Sequence, residues 1–290
     1  MNEFSTQFMK TNMKIHSGLL LCAIVFLFAV TGCNNNNNNK EANTAAADSI
    51  NKEVTLSPET QSLLYKFPTP FEVTAMLEKA KAGYIFDITN PPANVTKYAV
   101  EKSKALNLGI YSADLSYSAT YNRTDETNKF LACTNKLADE LGIAGVYDQS
   151  LLEKIKKFSN KKDSLISIIN KVFGTTNEFL SKNNRNQIAV LIATGGFAEG
   201  LYLATTLGEI SKDNAKIMNV VAGQKENYQK LLTILEAYNN DKNIKPVTDE
   251  LAKLKPIWES YDLTSGKKIP QQKVSEISDL AESVRLSFIK

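Results

Sequence analysis

The stretch Ile188 to Leu207, IAVLIATGGFAEGLYLATTL, constrains this chain more than any other. Elsewhere apolar residues recur in stripes; here they run nearly all the way round a helix. A helix apolar on every face is buried in a large core or in a bilayer. Its length reaches the lower end of a membrane span. Glu199 lies in its middle, and Thr194, Thr205 and Thr206 interrupt it. A charge at bilayer centre costs several kcal/mol, so the expectation is a buried central helix. Gly195, Gly196 and Gly200 each cost helix propensity, roughly 1 kcal/mol against alanine. Close approach of another helix would compensate that loss; a kink beside a ligand is the alternative. A buried Glu199 must find a partner or keep its proton. Its two readings are a salt bridge to a lysine or arginine and an acid that faces a ligand.

The rest of the chain reads as amphipathic helices. Ser57-Pro58 and Thr69-Pro70 each pair an N-cap residue with proline at the first helical position. The second pair opens a helix expected to stop at Gly83, and Asn90-Pro91-Pro92 is a break. A long helix is expected over Val95 to Tyr121. Thr124 or Asp125 then caps one that ends at Gly142. In that helix Cys133 falls in the apolar register with Phe130, Leu137 and Leu141, as a buried small residue rather than a reactive thiol. Further helices are expected from Asp148, around Leu165 to Leu180, over Ile217 to Tyr238, over Val247 to Tyr261 with a kink at Pro256, and after Pro270. No segment alternates as a strand does. The expected fold is all-α: eight to ten antiparallel helices around the buried Gly-rich central helix, as a bundle or a short solenoid.

The solenoid alternative comes from an internal echo. Gly109-Ile110-Tyr111-Ser112-Ala113-Asp114-Leu115 can be laid over Gly195-Gly196-Phe197-Ala198-Glu199-Gly200-Leu201. Each has a glycine, an aromatic two residues on, and leucine four after that. A duplicated helical unit would produce this pattern, and Gly109 then joins Gly195, Gly196 and Gly200 as a close-packing position. The echo also puts one acid in each helix. If the helices pack together, Asp114 and Glu199 could face each other among Tyr111, Tyr117, Tyr121 and Tyr202. That set would suit a sugar or a cationic ligand, and paired carboxylates also serve glycoside hydrolysis. The plainer alternative is two acids each neutralised by a base.

Several chemistries are excluded by composition. The chain has one histidine, His16, and three cysteines, Cys22, Cys33 and Cys133. His16 and Cys22 lie at the extreme N-terminus. The remainder has no histidine for zinc, for a Ser-His-Asp triad or for a Cys-His pair; an all-oxygen Ca²⁺ or Mg²⁺ site stays open, but no EF-hand loop pattern occurs, and no metal or cofactor is expected. No GxGxxG or Walker-type sequence occurs. Ser159-Asn160-Lys161-Lys162 and Ser265-Gly266-Lys267-Lys268 match Ser-x-x-Lys, but neither has the companion motifs of penicillin-recognising enzymes; they read as surface residues. Charge is near balance, at +3, with no basic block interleaved with aromatics, so no nucleic-acid partner is expected.

The N-terminus reads as an address. Lys10 and Lys14 precede the apolar run Gly18 to Val30, followed by Thr31-Gly32-Cys33. Basic flank, short apolar run and small residues make a secretory signal. The closing Gly-Cys resembles the lipobox of bacterial lipoproteins. That resemblance implies cleavage before Cys33, lipidation of Cys33 and attachment to the membrane through the lipid. Residues 1–32 are then the signal. Residues 33–55, with six asparagines in a row, are a tether from which no core can be built, and 56–290 form one helical domain. Asparagines stand where surface-exported lipoproteins carry acidic residues, which implies an outer-membrane protein facing the periplasm.

Lys104-Ala-Leu-Asn-Leu-Gly-Ile-Tyr-Ser-Ala-Asp-Leu-Ser-Tyr117, Lys136-Leu-Ala-Asp-Glu-Leu-Gly-Ile143 and Gly195-Gly-Phe-Ala-Glu-Gly-Leu-Tyr-Leu-Ala-Thr205 resemble uncharacterised helical lipoproteins of Bacteroidota. The resemblance implies a lipid-anchored envelope protein and carries no activity and no catalytic residue. The functional expectation is a non-enzymatic module binding an envelope protein or small ligand. The alternative is an envelope hydrolase built on the acidic pair.

Overall fold

The computed structural model describes residues 54–146, 149–158, 161–211, 215–260 and 269–290. The signal, Cys33, nearly all of the tether and Ser265 with its Lys268 lie outside them, as does Ser159. The described residues belong to one compact unit and contain no strand.

The helices are α1 (Pro58–Tyr65), α2 (Pro70–Lys79), α3 (Glu101–Thr120), α4 (Thr124–Glu140), α5 (Gln149–Phe158), α6 (Lys162–Lys182), α7 (Asn186–Ile210), α8 (Ala215–Glu236), α9 (Lys245–Ala252), α10 (Lys255–Glu259) and α11 (Gln271–Ile289). Local signals set most of their ends. The Ser57 hydroxyl accepts the Thr60 amide, and Thr69 and Glu72 form a capping box, with proline opening both helices. Four helices stop the same way, with a left-handed residue and two backwards bonds from the chain beyond it. The left-handed residues are Lys81, Asn122, Gly142 and Asn184. Asparagine and glycine tolerate that conformation; Lys81 does not favour it. The stop after α2 therefore lies two residues before Gly83, because Ala82 and Lys81 donate to Leu77 and Glu78 and close the motif there.

Two expected helices are broken. The helix expected from Val95 begins at Glu101; a 3-10 turn, Pro92–Lys97, precedes it, and Tyr98 is extended. The segment from Val247 is split at Lys253–Leu254 into α9 and α10, with Pro256 at the start of α10 rather than inside a kinked helix. Proline lacks the amide an interior position needs and suits a first turn.

α7 is the axis of the fold. It is long and apolar enough to cross a membrane, yet eighteen of its twenty-five residues are buried by protein. α3, α11, α8, α2 and α6 all pack on it. α3 is buried more fully still, at sixteen of its twenty residues, although it carries many hydroxyls. Ser112, Ser116, Thr194 and Thr205 each donate to the carbonyl four residues back, so no hydroxyl among them is left unpaired in the apolar interior.

Glycines let α3 and α7 touch backbone to backbone. A Cβ on Gly195 would lie 1.8 Å from the Leu106 carbonyl oxygen, and one on Gly109 would lie 2.0 Å from that of Ile192. A Cβ on Gly196 would meet the Pro70 ring at 2.8 Å. Gly200 departs from the expected role: its Cβ would find Val73 at 3.7 Å, an ordinary contact. The two glycines that the internal echo aligns, Gly109 and Gly195, thus both sit at the crossing. The packing repeats with them. α2 and α4 flank α3 as α6 and α8 flank α7, and α2 packs on α7 as α6 packs on α3.

Thermal denaturation separates these glycines. Gly195→Ala should lose about 1–3 kcal/mol or more, because the backbones must move apart. Gly200→Ala should be neutral or gain up to about 1 kcal/mol from helix propensity. Equal losses at both positions would show that the crossing is not set by backbone contact.

Candidate functional site

The expected acidic pair does meet. Asp114 on α3 and Glu199 on α7 are both wholly buried, at 0% exposure, and interact directly. Arg285 arrives from α11, and its Nε donates to Glu199 Oε2 at 2.6 Å. Its guanidinium lies over the Tyr202 ring, 4.3 Å from the centroid, and Nη2 donates to the Ile88 carbonyl at 3.3 Å. The Asn90 amide donates to Asp114 Oδ2 at 3.1 Å.

One guanidinium serves two carboxyls here. Burial pushes Asp114 well above the usual carboxylate range, and the charge of Glu199 pushes it further. Burial raises Glu199 as well, while Arg285 beside it pulls the other way. Among the described residues Asp114 Oδ1 and Glu199 Oε1 accept from no donor. A proton held by Asp114 and turned toward Glu199 would leave one anion opposite one cation. Such a cluster is self-contained.

The expected tyrosine wall is also present, but its hydroxyls are engaged. Asn107, Asp114, Tyr111, Tyr117 and Tyr121 share one face of α3 by their helical spacing. Together they grip the main chain between α2 and α3. Tyr121 donates to the Ala82 carbonyl at 2.8 Å, Tyr117 accepts the Ile85 amide at 2.8 Å, and Tyr111 donates to the Pro91 carbonyl at 2.9 Å. Asn90 donates to Tyr98 Oη at 2.9 Å, and Asn107 donates to the Phe288 carbonyl at 2.8 Å near the chain's end. The segment 82–98 is therefore a strap laid along α3. The pocket expected around Asp114, Glu199, Tyr111, Tyr117, Tyr121 and Tyr202 is filled by this strap and by Arg285. Cys133 is buried beneath the same strap, its sulfur 3.7 Å from the Pro92 carbonyl, and burial pushes its thiol up to about 11.

A different place is open. The outer face of α8 and the short α10 bound a groove of about 310 Å³, at the lower end of the range for small-ligand sites. Tyr228, Trp258 and Leu232 form its floor; Lys225, Gln229, Thr233, Glu236, Lys255 and Glu259 form its walls. Tyr228 and Trp258 are each 2% exposed, yet among the described residues Tyr228 Oη and Trp258 Nε1 have no hydrogen-bond partner. Burial, with Glu259 and Glu236 nearby, pushes the Tyr228 phenol up to about 12, so it stays protonated. Rings connect the groove to the central helix: Trp258 lies 6.3 Å from Tyr228, which lies 6.5 Å from Phe197 on α7.

Helical periodicity places Tyr228 and Trp258 on apolar stripes and says no more about them. Each carries a polar tip, and a buried tyrosine or tryptophan usually finds a partner for it. An apolar void between α3, α4, α5 and α6, lined by Leu115, Leu131, Ile155 and Phe173 among others, measures about 20 Å³ and admits no more than a water-sized molecule.

No protein-family model, no curated protein and no solved structure significantly matches this chain.

Two variants test the cluster. Arg285→Met strands the Glu199 charge and should cost about 3–5 kcal/mol of stability. Glu199→Gln should cost less, because Asp114 can ionise and face Arg285; equal losses would deny that the carboxyls share one proton. The pH dependence has a defined sign. Asp114 holds its proton more tightly folded than unfolded, so its contribution is complete below the ordinary aspartate range and falls as pH rises toward its folded value. The slope is up to about 1.4 kcal/mol per pH unit. Asp114→Asn preserves both hydrogen bonds without titrating, so denaturant midpoints between pH 5 and 8 should fall less than in wild type. Parallel slopes would place the proton elsewhere.

Proposed function

We propose that this chain is a lipid-anchored, non-enzymatic helical binding protein of the cell envelope. Cys33 carries the lipid, the asparagine-rich segment gives reach, and the helical domain works on the periplasmic side of the outer membrane. The signal-like N-terminus and the resemblance to Bacteroidota lipoproteins support the location. The groove between α8 and α10 is the binding face, and its size suits a small ligand better than a protein surface.

The observation that carries the binding reading is the contrast between the two polar sites. The acids that could act as a catalytic pair have no exposure and are neutralised from within by Arg285. A general acid must reach its substrate within hydrogen-bond distance. Asp114 and Glu199 could do so only if the strap and α11 moved away, so the hydrolase alternative draws no support from them. The groove has the reverse character: it is open and walled by exposed polar side chains such as Gln229, Thr233 and Glu259.

Metabolic labelling with a clickable palmitate analogue tests the anchor in the native cell. Wild type should be labelled and sediment with membranes, whereas Cys33→Ala should be unlabelled and released from them. Unlabelled wild type would remove the lipid-anchored reading.

A further inference from the structure

The net charge of this chain is concentrated in one short stretch. Residues 153–163 hold five lysines against two acids, a net +3, and +3 is also the net charge of the whole chain. The rest of the chain therefore balances. The stretch covers the end of α5 and the start of α6, which meet where the Lys161 amide donates to the Phe158 carbonyl at 2.8 Å. Lys154, Lys157 and Lys161 are exposed, as are the two acids, Glu153 and Asp163. Lys136, Lys230 and Lys245 each pair with an acid one turn away on their own helix. Among the described residues no carboxylate pairs with Lys154, Lys157 or Lys161. The ammonium groups of Lys157 and Lys161 instead flank the half-buried Phe158 ring, 5.7 and 5.8 Å from its centroid. Contacts of that length at an exposed site are weak, so both charges stay available to a partner.

The packing narrows what that partner is. α5 lies chiefly on α6, and its Ile155 is buried beside Leu115 and Leu131. Its apolar side is thus spent on the core, and the corner presents cations and one aromatic ring. A small anion needs donors that converge in a pocket, whereas these side chains are spread over two helix ends. A nucleic-acid strand needs several stacking rings beside the cations, and one phenylalanine stands here. A broad anionic surface matches the arrangement. The chain also has the reach for one. α1 enters the domain at the far end of α6, where Gln61 Nε2 donates to Ser181 Oγ at 2.9 Å, about 30 Å along that helix from Lys161. Twenty residues, 34–53, separate Cys33 from Val54, and that number spans at most about 65 Å.

We propose that the α5–α6 corner docks on the anionic phospholipid headgroups of the membrane that holds the lipid. Lys154, Lys157 and Lys161 lie against the phosphates, and Phe158 sits at headgroup level. Each lysine near such a surface strengthens the contact roughly fivefold. The anchor makes the contact intramolecular, so a weak attraction suffices to hold the domain down. The proposal rests on the lipid-anchored reading above and gives the anchored domain an orientation.

The chain purified from its own membranes is reconstituted on vesicles of phosphatidylcholine, with and without phosphatidylglycerol. Amide hydrogen exchange is then followed across residues 150–165. A lipid anchor holds the chain on both vesicles, so the difference between them reports the corner alone. Exchange there should be severalfold slower on the anionic vesicles. That difference should vanish in about 1 M salt, where screening acts within about 3 Å. It should vanish also in the triple variant Lys154→Gln, Lys157→Gln, Lys161→Gln, whose melting temperature should match wild type because the three side chains are exposed. If that variant melts lower, the salt dependence of wild type decides. Equal exchange on the two vesicles, or a slowing that survives high salt or the triple substitution, would overturn the docking. Slowing by a DNA duplex and not by vesicles would overturn it too. Failure of the anchor reads differently: the chain would not float with phosphatidylcholine vesicles, while a preference of the corner for phosphatidylglycerol would still appear.

Discussion

A carboxylate with no access to water keeps its charge only if a cation is brought to it, and Glu199 has Arg285 brought from 86 residues further along the chain. That pair joins the central helix to the last one. Through the guanidinium it reaches the strap at Ile88, and the same charges act on Asp114 of α3. Four separate parts of the chain meet at one charge. Unpaired, that charge would destabilise the core; paired, it limits how α3, α7 and α11 can be arranged, because a shift of any of them would strand an ion in a medium of low polarity.

The pair depends in turn on the glycines. Side chains from two helices at ordinary separation would fill the space between their axes. Gly109 and Gly195 remove that layer, and the Leu106 and Ile192 carbonyls come within a Cβ's reach of the opposite helix. The short carboxyls one turn beyond are then close enough to interact. The strap follows from the same geometry. α3 carries its polar and aromatic residues on one face, and the extended main chain between α2 and α3 has amides and carbonyls that need partners. Tyr111, Tyr117, Tyr121 and Asp114 supply some of them, so side chains of α3 anchor a segment whose regular structure is limited to one 3-10 turn.

The two polar sites therefore differ in kind. At the α3–α7 crossing Glu199 Oε2, Asp114 Oδ2 and the tyrosine hydroxyls of α3 are bonded from within the protein, which is how a buried polar network stabilises a unique arrangement. At the α8–α10 groove the donors and acceptors of Tyr228 and Trp258 are incomplete, and the space beside them is open. The first site has the character of a fastener; the second is an open groove.

Short-range signals are legible in the amino-acid order alone. The all-α class follows from the periodicity, the starts of α1 and α2 from Ser57-Pro58 and Thr69-Pro70, and burial of the central helix from its apolar girth interrupted by Glu199. These properties depend on residues a few positions apart, and a helix repeats every 3.6 residues whatever surrounds it. The meeting of Asp114 and Glu199 is legible as one option, through the echo around Gly109 and Gly195. Whether that meeting forms an open pocket or a closed cluster is decided only in three dimensions. The partner of Glu199 is one of 34 lysines and arginines, and nothing local distinguishes Arg285 from the rest. Tertiary packing also turns the tyrosines from a ligand wall into clamps and cuts the helices short at Glu101 and Leu254. It leaves Tyr228 and Trp258 unsatisfied beside open space. Each of these outcomes depends on distances between residues far apart in the chain, and such distances exist only once the backbone has folded.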